Sequence, residues 1–381
     1  MFCRYYSSYG ILSAILLIAI VSLFQISNEL RHWLPTANLL VSDRYQNTNV
    51  NYNDISFRDA LSGGNKPMLQ VAWLMSFPNS GTTYTNHLIQ NYTNTTTATN
   101  YGQEQSTTKT TIPVFANSTN GPFFRYPTWT LPPKFILTKT HCGGECDACQ
   151  TPGSKEYNDT TPAFELACCS GKRIVRGGTK IRTSYPSDIP KRAVHLIRDP
   201  FDNVVARLHL KERRWARFEG KKNKSNDDDD QKKYEERLGL YNNTKAGFRA
   251  YCKFRDQRSL KQERRYRSLN STLLQYIQEV PCYAEFVRYT KWHNHAIELL
   301  EKKGIPAITL FYENYGTHWN YTVSRLLHFL SLPPSVDGTA PEFVSGKEYS
   351  EFYTENEKLA VKKLLKILAL PALFDLLQRY M

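Results

Sequence analysis

Ser76-Phe77-Pro78-Asn79-Ser80-Gly81-Thr82-Thr83 joins an apolar stretch, Met68–Met75, to the amphipathic start of a helix. A strand, a glycine-containing turn and a helix N-terminus make an anion cradle: backbone N–H groups converge on one point and the helix dipole adds partial positive charge. Gly81 lets the backbone approach an oxyanion, and Thr82 and Thr83 supply hydroxyls. The same residue types would also suit an ordinary capped helix, since Ser and Thr are good N-caps. The GxxxxGK[ST] spacing is absent, and no Lys stands where it would reach a γ-phosphate. The loop therefore predicts a phosphate binder of another kind.

Two further constellations could do chemistry. Lys139-Thr140-His141 ends a predicted strand, where residues two apart share a face, so a cation would sit beside a base of near-neutral pKa. A surface Lys and a structural His are the bland alternative. Farther on, Arg198 caps the apolar stretch Ala193–Ile197, Pro200 opens a helix, and Arg207 follows more than two turns later. An Arg at a sheet edge can clamp a phosphate bidentately, or form a strand-end salt bridge to Asp199 or Asp202.

The elements that must position these residues follow a β/α rhythm. Strands are predicted at Leu69–Ser76, Lys134–Thr140, Ala193–Arg198 and Ala307–Tyr312. Continuous apolar runs such as AVHLI and AITLF suit a parallel sheet buried on both faces. Helices are predicted at Thr82–Gln90, Phe201–Arg214, Tyr283–Lys303, Thr322–Leu330 and Thr354–Leu368. The expectation is a three-layer α/β domain with a central parallel sheet and its ligand at the C-terminal strand edge. Asn91–Asn120, rich in Thr and Asn, is expected to be a long surface loop.

With the three motifs in this order, the chain resembles the sulfotransferase superfamily from about Pro67 to Tyr380. Ser76–Thr83 is similar to the 5′-phosphosulfate loop of that family, Leu137–His141 to its Lys-Thr-His segment, and Ile197–Arg207 to its 3′-phosphate motif. Thr309–Tyr315 resembles the strand-end Tyr-Glu-Asp element, and Phe343–Tyr353 a C-terminal loop whose basic residue approaches the 3′-phosphate. The resemblance implies a P-loop-like fold related to nucleotide kinases. It also implies metal-free transfer of a sulfuryl group from 3′-phosphoadenosine 5′-phosphosulfate to a hydroxyl or amine. On it, His141 is the base, and Lys139 stabilises transferred charge. Pro78, Asn79, Ser80, Gly81, Thr82 and Thr83 cradle the 5′ end, while Arg198, with Arg207 and Lys347 as further candidates, holds the 3′-phosphate. Asn79 stands where the family has Lys or Arg, and Ala206 where it has Ser.

Composition and targeting signals set the context. The net charge of +14 asks for an anionic partner. Ile11–Ile26 is apolar apart from Gln25, close to the short limit for a bilayer of ~30 Å. Its tyrosine-rich flank and poor cleavage site favour an uncleaved anchor over a cleaved signal peptide. N-x-[ST] sequons at Asn91, Asn94, Asn117, Asn158, Asn223, Asn242, Asn270 and Asn320 indicate a lumenal glycoprotein, which disfavours a nucleic-acid partner. The resulting plan is a type II Golgi membrane protein. It has a cytosolic tail (1–9), an anchor (10–26), a stem (27–66) and a lumenal domain (67–381) with insertions at 91–120, 142–187 and 219–235. The acceptor would be a carbohydrate or glycoprotein, anionic by charge complementarity.

In that compartment Cys142, Cys146, Cys149, Cys168, Cys169, Cys252 and Cys282 are expected to form disulfides with one left over, Cys252–Cys282 being a plausible pair. An iron–sulfur or zinc site on Cys142, Cys146 and Cys149 would need reduced thiolates. Lys221–Lys233 reads as a solvated charge block. Two alternatives to transfer remain open at this point: a lumenal kinase on the same fold, and an inactive membrane-anchored glycan-binding relative.

Overall fold

The computed structural model describes residues 69–102, 111–115, 118–125, 129–144, 160–210, 244–266, 273, 276–344 and 349–381. The predicted anchor and stem, the 219–235 insertion, Cys146, Cys149 and Lys347 lie outside the described residues. No helix among the described residues is long and apolar enough to cross a membrane.

Eight strands are described: β1 (Gln70–Ser76), β2 (Thr97–Thr99), β3 (Phe123–Arg125), β4 (Phe135–Thr140), β5 (Ser170–Ile174), β6 (Lys180–Ser184), β7 (Pro190–Ile197) and β8 (Ala307–Phe311). Six of them form one mixed sheet in the order β3-β2-β4-β1-β7-β8. Every neighbouring pair is parallel except β2 with β3. The chain leaves β1, builds one side of the sheet through β4, then crosses to β7 on the other side. A crevice outside the carboxyl ends of the strands is expected at such a reversal, here around the end of β1.

The helices are α1 (Thr82–Thr93), α2 (Thr161–Cys168), α3 (200–210), α4 (Lys245–Tyr266), α5 (Tyr283–Lys303), α6 (Asn314–Thr317), α7 (Trp319–Leu330), α8 (Glu355–Leu368) and α9 (Pro371–Leu377). Alternation along β1 sends Val71, Trp73 and Met75 into a core shared with Tyr289, Trp292 and Ala296 of α5 and with Leu373 of α9. Ala72 and Leu74 enter a second core with Leu88 and Ile89 of α1 and with Val323, Leu326 and Leu330 of α7. Because both faces are covered, β1 and β7 read as unbroken apolar runs instead of alternating ones. A third core joins Val204, Val205 and Leu208 of α3 to Phe248 of α4, Phe286 of α5 and Val361 of α8. A capping box at Thr354 and Glu357 starts α8 one residue beyond the sequence-based boundary.

The expected surface loop at 91–120 is corrected in its first third. Thr95 through Gly102 are buried, and Thr97–Thr99 is a sheet strand. Hydrogen bonds permit this burial of polar side chains. Thr96 Oγ1 donates to the Arg125 carbonyl at 3.1 Å, and Gln90 Nε2 donates to Thr97 Oγ1 at 3.3 Å. Of the sequon asparagines described, Asn94 and Asn320 are exposed and Asn91 is partly buried.

Within 142–187, β5 and β6 form an antiparallel hairpin turning at Gly177 and Gly178, both at positive φ (87° and 80°). Two disulfides are described, Cys142–Cys168 and the expected Cys252–Cys282. The first takes Cys142 out of any three-thiolate metal loop. Cys169 carries a buried free thiol, and burial pushes its pKa up to about 12.

Candidate functional site

The loop leaving β1 is shaped by two left-handed residues, Asn79 at φ 71° and Gly81 at φ 98°, before α1 begins at Thr82. Asn is among the few residue types besides Gly that visit this region readily, whereas a Lys or Arg is less suited to it. Gly81 also lies against an aromatic ring: a Cβ there would come 2.2 Å from Tyr312 Cδ2. Gly81→Ala is expected to cost about 1–3 kcal/mol from backbone strain, and more from the clash. Urea denaturation would measure it, and an unchanged midpoint would contradict this geometry.

Arg198 and Asn203, from the β7–α3 segment, bond the loop, and Tyr312, just past β8, packs against it. Arg198, 6% exposed, donates from Nη1 to the Asn79 carbonyl at 3.0 Å and stacks on Tyr312 at 4.8 Å. Asn203, wholly buried in the first turn of α3, donates from Nδ2 to the Pro78 carbonyl and to Ser80 Oγ, both at 3.0 Å. Asn79 Nδ2 and Arg198 Nε are buried donors with no partner among the described residues. Orphaned buried donors at a turn that opens a helix N-terminus suit an anionic ligand, and Asn203 Oδ1 is an unpartnered acceptor beside them.

His141 follows β4 and is 6% exposed. Its Nδ1 lies 2.8 Å from the Ser76 carbonyl, an acceptor that cannot donate, so Nδ1 carries the proton and the neutral ring keeps Nε2 as its basic nitrogen. The backbone is held on both sides. Its N–H donates to Tyr101 Oη at 2.8 Å, and its carbonyl accepts from Trp292 Nε1 at 2.7 Å. The Tyr101 ring stacks on the imidazole at 6.0 Å, and the next residue, Cys142, is bonded to Cys168.

Lys139 is 7% exposed and stands in register between Leu74 of β1 and Thr99 of β2. It shares the α1-side face with Phe135 and Leu137. Burial first, then the charges of Arg125 and Lys139, lower the pKa of His87 on α1. β4 ends at Thr140, so His141 lies one residue past the strand and strand alternation does not fix its direction relative to Lys139.

Arg207, a further 3′-phosphate candidate by resemblance, is buried and engaged within the fold. Its Nε donates to Glu285 Oε2 at 2.6 Å, and its guanidinium lies over the Phe77 ring at 4.8 Å. Glu285 also accepts from Arg255 Nε at 2.5 Å and Arg288 Nη1 at 3.3 Å. Buried charges need such partners, and this one fixes Arg207 as a support for the loop's Phe77. Ser80 and Thr82 are buried, Thr83 is exposed and Pro78 is buried, all within or beside the turn.

Beside Arg198 lies an acidic cluster. Asp199 Oδ1 caps α3 by accepting from the N–H of Phe201 at 2.7 Å, and the Asp199 N–H donates to Glu313 at 2.9 Å. Burial, then Asp202 and Glu313, push the Asp199 carboxyl up to about 7. An acid with a raised folded pKa binds more protons folded than unfolded, so stability is greatest below the unfolded value and falls between about pH 4 and pH 7. Asp199→Asn is therefore expected to raise the melting temperature at pH 7.5 relative to the parent and to lose that advantage at pH 4. Parallel melting curves at both pH values would contradict it.

Tyr101, Asn203, Tyr289 and Trp292 were not among the sequence-derived site residues. Asn203 lies inside the Arg198–Arg207 motif, so its position offered a signal, whereas Tyr101 sits in the polar stretch expected to be a loop. Among the described residues, no group of three His, Cys, Asp or Glu is placed to hold a metal ion. Comparisons with protein-family models, curated proteins and solved structures find no match to this chain.

Proposed function

We propose that this chain is a sulfotransferase, moving the sulfuryl group of 3′-phosphoadenosine 5′-phosphosulfate to a hydroxyl or amine of a carbohydrate or glycoprotein acceptor. On this reading it is a single-pass type II protein of the Golgi membrane with its catalytic domain in the lumen. The observation that carries the proposal is spatial. The three motifs end three adjacent parallel strands, β4, β1 and β7, around one left-handed turn with orphaned donors. A three-layer, P-loop-like arrangement accords with the strand order and with helices on both sheet faces.

The donor supplies an activated sulfuryl group on a phosphate leaving group. The turn at Pro78–Thr83 would hold its 5′ end through backbone N–H groups and the Asn79 amide. Arg198 at the end of β7 would hold the 3′-phosphate, with Tyr312 keeping the guanidinium flat. His141, its tautomer fixed by the Ser76 carbonyl, would take the acceptor's proton at Nε2. Lys139 would offset charge on the transferred group, a contribution of about 3–4 kcal/mol for a single donor in comparable sites.

The test is transfer of radiolabelled sulfate by the full chain to a panel of polysaccharides, beside calorimetric titration with the 3′,5′-bisphosphate product and with ATP–Mg²⁺. Tight ATP binding without bisphosphate binding would replace this reading with a kinase. Bisphosphate binding without transfer to any acceptor would leave an inactive glycan-binding relative.

A further inference from the structure

The β5–β6 hairpin is a concentrated block of positive charge. Ser170–Ser184 holds Lys172, Arg173, Arg176, Lys180 and Arg182 and no Asp or Glu. The register sets Lys172 directly across from Arg182, with Lys180 two residues farther along on the same face. Like charges opposed across a ladder destabilise it by themselves. Arg176, Lys180 and Arg182 are exposed, and Arg176 lies in the turn.

The hairpin is also built onto the site. The Lys172 N–H donates to the Asn100 carbonyl at 3.1 Å, just past the carboxyl end of β2. Gly171 packs so closely on Asn100 that a Cβ would come 1.8 Å from its carbonyl oxygen. Next to Asn100, Tyr101 bridges to Lys172, and its hydroxyl oxygen accepts from the His141 N–H. Asn100 Nδ2 donates to the Cys168 carbonyl at 2.5 Å, and Cys168 is bonded to the residue after His141. The open end of this separate two-stranded sheet, where Lys172 faces Arg182, is therefore anchored through Asn100, Tyr101 and Cys168 beside the segment that carries the candidate base.

We propose that the β5–β6 hairpin is the recognition surface for an acidic polysaccharide acceptor, gripping carboxylate or sulfate groups flanking the sugar presented to His141. This deepens the function proposed above and rests on it for the identity of the reaction, though not for the binding itself. The cations step along the strand by roughly 7 Å per pair of residues, a spacing suited to a regularly charged, extended chain. Within the hairpin, Ile181 alone is a large exposed apolar residue, which gives a protein segment little to bury there.

The experiment uses the full chain in detergent, with Arg176→Gln, Lys180→Gln and Arg182→Gln combined. Polyuronate oligosaccharides, a sulfated galactan, poly-glutamate and phosphatidylserine vesicles serve as probes, read by calorimetry in 50 and 200 mM salt. The expected result is at least a tenfold loss of polyuronate or galactan affinity, a shallower salt dependence, and bisphosphate affinity unchanged within twofold. Unchanged polysaccharide affinity in the variant would overturn the proposal. So would hairpin-dependent binding that favours poly-glutamate or vesicles over polysaccharide. Hairpin-dependent polysaccharide binding without sulfuryl transfer would support the surface while defeating the proposed reaction.

Discussion

His141→Ala is expected to lower sulfuryl transfer by about 10²–10⁴-fold, the usual contribution of a positioned general base, while bisphosphate affinity stays within about twofold. The anchoring of the residue explains why the two effects should separate. Tyr101 and Trp292 hold its backbone N–H and carbonyl, and both bonds survive loss of the ring. Loss of the ring removes the donor to the Ser76 carbonyl, worth about 1 kcal/mol, and the stack on Tyr101. The loop that would bind the donor is held from elsewhere, by Arg198 and Asn203. Single-turnover transfer measured beside calorimetry would check both halves. Transfer at the parental rate would remove His141 from the mechanism, and a parallel loss of bisphosphate binding would recast it as a structural residue.

Arg198→Met should have the larger effect on binding. The substitution removes a charge, the tether to the Asn79 carbonyl and the stack on Tyr312 together. Loss of a buried, hydrogen-bonded charge facing an anion typically costs about 2–4 kcal/mol, which is roughly 30- to 800-fold in bisphosphate affinity. Arg198→Lys keeps the charge but cannot present a planar fork to the loop and a ligand at once, so it should recover only part of the loss. Adenosine 5′-phosphate, which lacks the 3′ group, provides the control. Its affinity should fall less than that of the bisphosphate in Arg198→Met. Equal losses for both ligands would assign Arg198 to loop support alone.

β1, β4, β7 and the long α5 were legible because burial on both faces leaves a plain mark, an unbroken apolar run or a long amphipathic stretch. β8 carries the same kind of run but is an edge strand in which only Leu310 is buried. Tyr283–Lys303 matched to the residue, since Gly304 at φ 60° ends it with a left-handed cap. β2 was illegible for the opposite reason. Thr-Ala-Thr is buried through hydroxyl hydrogen bonds, and a pattern of polar residues carries no trace of the partners that satisfy them. The β5–β6 hairpin did leave a mark, a Gly-Gly pair between alternating stretches, masked by its charge. In the site, motif order located the turn, Arg198 and His141. The partners of Arg207 and the support of His141 by Trp292 come from α5, which is distant in sequence from both and which no local spacing could reveal.

That helix has one more consequence. Glu285, Tyr289, Trp292 and His293 occupy a single stripe of α5. They meet Arg207, the Arg198 carbonyl, the His141 carbonyl and His195, respectively. Four pieces of chain from different parts of the sequence are thus gauged against one rod. Removing one residue between Glu285 and Trp292 would turn the two ends of that stripe about 100° apart, so no side-chain change could restore both alignments. Length changes in the connections on either side would leave those four alignments in place. The stretch from Glu285 to His293 has no such latitude, and its length is where lineages descended from this chain should differ least.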